Sequence, residues 1–144
     1  MTADKVLSPN DLKKISDEAE DALIREHEQR KQKEQKEQKD LHDAFMSREI
    51  HPDVMDRINT AVRTAAQQRL REVRTLTFPA SYCNDRGRRI NNNEPDWPDS
   101  LEGFAKRAYE FYEAELHPLG FRLRVQVLDY PGGMPGTVAF FLVW

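Results

Sequence analysis

The sequence predicts an α+β protein: a long, charged N-terminal helix, then a small domain of order helix, strand, helix, strand, strand. Three observations carry this. Residues 26–40, EHEQRKQKEQKEQKD, contain no apolar side chain. Residues 52–73 repeat apolar side chains at helical spacing, with Val54, Ile58, Ala61, Val62, Ala65, Leu70 and Val73 on one face. From Phe121 onward the chain turns to alternating and then continuous apolar residues, the pattern of strands.

The first helix is expected to start at Ser8-Pro9-Asn10-Asp11. Ser8 accepts from a free first-turn N–H, Pro9 suits the first helical position, and Asp11 complements the positive helix end. Leu12, Ile15, Ala19, Ala22 and Leu23 then form an amphipathic stripe. The Gln-Lys-Glu stretch beyond it consists of good helix formers without an apolar seam, so a solvated, fraying helix is expected and a coiled coil is not. Within it, Glu26 and Arg30 form the one pair in the favourable i, i+4 order. Leu41, Ala44, Phe45 and Met46 restore an apolar patch before His51-Pro52 interrupts. The arm is read as residues 1–50 and the domain as residues 51–144.

The second helix is expected over residues 52–73. A short strand, Thr75–Phe78, follows and Pro79 ends it. Residues 79–98, with no regular pattern, read as a long loop. Asp99-Ser100 caps a third expected helix, Leu101–Leu116, with Phe111 facing the core and Tyr112 at its rim. The strand Phe121–Val127 has one wet face, carrying Arg122, Arg124 and Gln126. A glycine-rich turn over 129–136 leads into a last strand that is apolar on both faces, as a central or partner-covered strand would be. The second and third strands make an antiparallel hairpin, and the helical connection lets the first and second pair in parallel. Val54, Ile58, Val62, Phe78, Phe104, Phe111, Val125, Phe140 and Leu142 are the expected core anchors.

Composition bounds function. Charged residues make up 33% of the 144, apolar residues 38%, and the net charge is −3. Mean hydropathy is −0.82. This balance argues against coating nucleic acid by bulk charge. One cysteine excludes an intrachain disulfide framework and a Cys-rich zinc site. There is no HxxxH, HExxH or CxxC, so no metal and no cofactor is expected. No apolar run approaches the roughly 18–20 residues of a membrane span, and the first eight residues lack a signal core. The expectation is a soluble, cytoplasmic protein.

The densest chemistry lies in the 79–98 loop. Cys83, Asn84, Asp85, Arg86, Gly87, Arg88 and Arg89 bring a thiol, a carboxylate and forked cationic donors together. Trp97, between Pro95 and Pro98, is a stacking or lid residue. Arg86, Arg88, Arg89, Asn84, Asp85 and Trp97 are therefore the candidate partner- or anion-binding residues, and no catalytic residue is assigned. The plainer reading of the same loop is a turn whose arginines pair with Glu94, Asp96 and Asp99.

The favoured function is a non-enzymatic interaction or scaffolding protein. It would self-associate, or bind a protein partner, through its helical arm and the 79–98 loop. A nucleic-acid or anion-binding module using the Arg86/Arg88/Arg89 loop with Arg122 and Arg124 is the alternative. A small enzyme using Cys83 or Asp85 comes third, because a cysteine nucleophile needs a base. The four histidines, His27, His42, His51 and His117, sit in the arm or at helix boundaries.

Overall fold

Ser8 and Asp11 start the first helix reciprocally. The Ser8 N–H donates to Asp11 Oδ2 and the Asp11 N–H to Ser8 Oγ, both at 3.2 Å, a capping box with aspartate in the third position. In this computed structural model, which describes residues 6–144, helix α1 then runs unbroken over Pro9–Ser47. It includes the whole apolar-free stretch, and Arg30 Nη2 donates to Glu26 Oε1 at 3.2 Å. No residue of α1 is fully buried. The chain divides into two compact units after Leu41. In the first, Leu12, Ile15, Leu23 and Ile24 are all half exposed or more.

The second unit opens with the last turns of α1. The Phe45 ring lies 4.9 Å from Tyr82, 5.5 Å from Phe78 and 6.0 Å from Phe104, centroid to centroid. Arg107 Nη1 donates to the carbonyls of Met46 at 2.8 Å and Arg48 at 3.2 Å. This side chain closes carbonyls that the helix end leaves open. Gly103 makes the approach possible: it has φ +57°, and a Cβ there would stand 2.7 Å from Met46 Cα.

Helix α2 spans Val54–Gln67 and ends six residues before the apolar pattern predicts. Its end is a Schellman motif built without glycine. Arg69 adopts φ +64°, its N–H donates to Ala66 O at 2.9 Å, and the Leu70 N–H reaches back to Ala65 O at 2.9 Å. Leu70 is consequently exposed, and Val73 belongs to strand β1, Glu72–Pro79.

The 79–98 segment is not an irregular loop. Ala80–Tyr82 and Trp97–Ser100 form 3₁₀ turns, and Arg88–Asn91 makes the short helix α3. Helix α4 then spans Gly103–Phe111 and passes into a π-helical turn, Tyr112–Leu116. Ser100, expected as a helix cap, instead donates through Oγ to Trp97 O at 2.6 Å and is fully buried. The wider π turn rotates the following residues inward. Tyr112 and Leu116 are therefore buried while Phe111 is only partly covered, the reverse of the expected core and rim.

Strands β2, Arg122–Val127, and β3, Thr137–Val143, complete a three-stranded sheet of order β1-β3-β2. Both neighbours run antiparallel to β3. The expected parallel pairing of the first two strands does not occur, because β3 inserts between them. Its apolar residues on both faces fit that central place. A bulge at Thr75 shifts the register between Arg74, opposite Phe141, and Leu76, opposite Phe140. Thr75 Oγ1 there donates to Phe140 O at 3.3 Å.

Pairing places Val73, Leu76, Phe78, Val138, Phe140 and Leu142 on one sheet face with Leu123, Val125 and Val127. The helices pack on this face. Of the expected anchors, Phe78, Phe140 and Leu142 are fully buried. Ile58, Val62, Phe111 and Val125 pack around them partly buried. The rest of the core comes from small residues and the supposed loop: Ala80, Cys83, Ile90, Leu101 and Ala105. Among the described residues, no helix is long and apolar enough to cross a membrane.

Candidate functional site

Residues 83–100 are organised by Asp85. Its Oδ1 accepts the Gly87 N–H at 2.9 Å and its Oδ2 the Arg89 N–H at 3.0 Å. These bonds satisfy first-turn donors of α3. Gly87, at φ +85°, gives the left-handed turn, and a Cβ there would meet Ala80 Cβ at 3.1 Å. Asn84 Nδ2 donates to Asp99 O at 2.8 Å, so it ties the segment's two ends together.

The three arginines are used differently. Arg88 Nη1 donates to both carboxylate oxygens of Glu94 at 3.1 Å. Arg89 Nε lies 3.4 Å from Asp96 Oδ2 and 3.9 Å from Asp85 Oδ2. Arg86 is exposed, holds φ +58°, and makes no ion pair among the described residues. Trp97 is half buried, its ring 5.4 Å from Tyr109 and 6.1 Å from Phe140. The fold thus brings all six candidates into one short segment. It engages Asn84, Asp85, Arg88, Arg89 and Trp97 within the domain and leaves Arg86 turned to solvent.

Cys83 is 4% exposed. Burial, reinforced by the Asp85 charge, pushes its thiol up to about 11 from an ordinary 9.0, although a hydrogen bond with Ser100 pulls the other way. A nucleophilic cysteine needs the opposite shift. Among the described residues, no cluster of three His, Cys, Asp or Glu side chains is arranged to hold a metal ion.

The wet sheet face is also internally paired. Arg124 Nη2 donates to both Glu72 carboxylate oxygens at 2.9 Å, and its guanidinium lies 4.0 Å over the Phe141 ring. The Phe141 face is thereby covered where a base would stack. The glycine-rich turn is held as a hairpin connection, with the Thr137 N–H donating to Asp129 Oδ1 at 2.7 Å and the Gly136 N–H to Asp129 O at 3.0 Å.

A second feature is not visible in the sequence. A cleft of about 460 Å³ lies between α2, β1 and α4. Its lining is largely apolar, yet it includes Arg48, His51 and Arg57. These three come from the connector after α1 and from α2. No spacing rule links them, and only the packing of the connector and α2 on the sheet brings them to one opening.

Compared with known proteins, the chain matches no protein-family model, no curated protein and no solved structure.

Proposed function

We propose that this protein is a non-enzymatic interaction or scaffolding protein that self-associates through its helical arm. The observation that carries the reading is the exposed apolar stripe of α1, in which Leu12, Ile15, Leu23 and Ile24 each leave at least half their surface open. Such a stripe on a helix with no buried residue is a surface awaiting a partner. Charge supports a second copy as that partner. Residues 9–24 carry five acidic and two basic side chains, whereas residues 25–39 carry six basic and four acidic. Antiparallel pairing centred on Leu23 and Ile24 sets the acidic half of each helix along the basic half of the other, with Leu12 and Ile15 against the alkyl stems of Lys36 and Lys33 of the second copy. The 79–98 segment offers a smaller second contact through Arg86.

Sedimentation equilibrium across a wide concentration range tests this. The expected result is a dimer that weakens in high salt, as paired surface charges do, and that Leu23→Gln with Ile24→Gln converts to monomer. A monomer mass at every concentration removes self-association from the reading.

A further inference from the structure

The cleft between α2, β1 and α4 combines an apolar interior with a cationic lining. Ile58 and Ala61 of α2, Leu76 and Leu142 of the sheet, and Phe104 and Phe111 of the α4 side give it apolar walls. Its volume of about 460 Å³ falls within the about 300–1,000 Å³ common for small-molecule sites. Arg48, Arg57 and His51 also line it, and no aspartate or glutamate does; the Arg74 side chain, paired with Phe141, is on the opposite sheet face.

The arginines of the cleft form no ion pair within the fold. Arg88, Arg89, Arg107 and Arg124 each have a carboxylate within 4.0 Å, whereas Arg48 and Arg57 have none among the described residues. Arg48 rests its guanidinium 4.0 Å over the Phe104 ring, and its planar edge remains available for a bidentate acceptor. The Asp53 N–H donates to His51 Nδ1 at 3.0 Å. That bond places the proton of the neutral ring on Nε2 and makes Nε2–H a donor. An apolar cavity whose arginines lack a carboxylate partner and whose lining holds no acid matches a molecule with an apolar body and one anionic head.

We infer that this cleft binds a free single-chain fatty carboxylate, its alkyl chain against the α2, sheet and α4 walls and its carboxylate at Arg48, Arg57 and the Nε2–H of His51. The chemistry is shared with anionic membrane lipids. The cleft's volume of about 460 Å³, that of a small-molecule site, favours one chain taken from solution over a surface docked on a bilayer.

Isothermal titration of the full chain with dodecanoate, dodecylammonium and butanoate, each as monomers in solution, provides the test. Dodecanoate is expected to bind at least about tenfold more tightly than either of the others, the scale of one charge-assisted contact. Arg57→Gln is expected to weaken dodecanoate about tenfold while leaving the urea midpoint in place, since the residue is exposed. Ala61→Leu, which fills the wall and keeps every charge, is expected to weaken it too. Equal affinity for dodecanoate and dodecylammonium overturns the inference, as does dodecanoate binding that neither variant changes. Binding to vesicles of anionic phospholipid with the same arginine dependence, and no binding of monomeric dodecanoate, overturns it in favour of a bilayer surface.

Discussion

Replacing Gly103 by alanine tests how the end of α1 is held to the domain. Two costs are expected. An L-residue at φ +57° pays about 1–2 kcal/mol of backbone strain. The new Cβ would also stand 2.7 Å from both Met46 Cα and Met46 Sδ, about 1 Å inside ordinary contact. Backbone cannot swing aside as a side-chain tip can, so the last turn of α1 must retreat. A retreat of that size forfeits a quarter to a half of the dispersion across the gap. The contacts at stake are those of Phe45 with Phe78, Tyr82 and Phe104. Truncating a buried phenylalanine costs about 3–5 kcal/mol, so the retreat costs about 1–2 kcal/mol. Gly120 is the control: it holds φ +99° and has nothing within 4 Å of its Cβ position. Gly120→Ala therefore pays strain alone, at an angle further from the left-handed minimum. Urea unfolding followed by tryptophan fluorescence should place Gly103→Ala about 1 kcal/mol below Gly120→Ala, the lost contact less the extra strain of the control, or about 0.5 M in midpoint. Equal losses for the two variants would refute the reasoning.

Arg69→Gly should stabilise the domain by about 1 kcal/mol, because glycine relieves the φ +64° of the α2 terminus; a lower urea midpoint for this variant counts against the motif. Cys83 carries a pH signature. Its folded pKa of about 11 exceeds the ordinary 9.0, so its contribution is complete below pH 9 and is lost as pH rises through 11. The urea midpoint should fall across that window by the equivalent of about 2–3 kcal/mol at most. Burial raises Tyr109 and Tyr112 as well, so the comparison is with Cys83→Ala, whose decline should be shallower. An identical slope in that variant removes Cys83 as a cause.

The long helix and the strand order along the chain were readable because each rests on local pattern. Ser8 and Asp11 announced the start of α1, and the doubly apolar Val138–Val143 announced a central strand. Three things were hidden. The end of α2 carries no glycine or proline, since Arg69 takes the left-handed position usually held by glycine, and so the apolar spacing of Leu70 and Val73 suggested more helix than forms. The core under residues 80–101 is made of Ala80, Cys83, Ile90 and Ser100, residues too small or too scattered to show a period. The wider turn at Tyr112 exchanged the roles of Tyr112 and Phe111 without any signal in composition. Of the candidate site, the dense charge at 84–89 was legible, but its internal pairing to Glu94 and Asp96 was only one of two readings. The cationic cleft was not legible at all, since Arg48, His51 and Arg57 come to one opening only through packing.

The sheet order has a consequence for how the molecule comes into being on the ribosome. The middle strand is the last of the three to be synthesised, and each outer strand hydrogen-bonds to it and not to the other. When β1 leaves the exit tunnel, its partner is not yet translated: Phe78 waits for Val138, and Val73 for Leu142. A nascent chain halted anywhere before Thr137 holds two strands with apolar faces and no ladder to join. The domain therefore forms late and nearly at once, when β3 slides between strands already made. Until then, an emerging chain must be kept from offering those two faces to its neighbours on the same message.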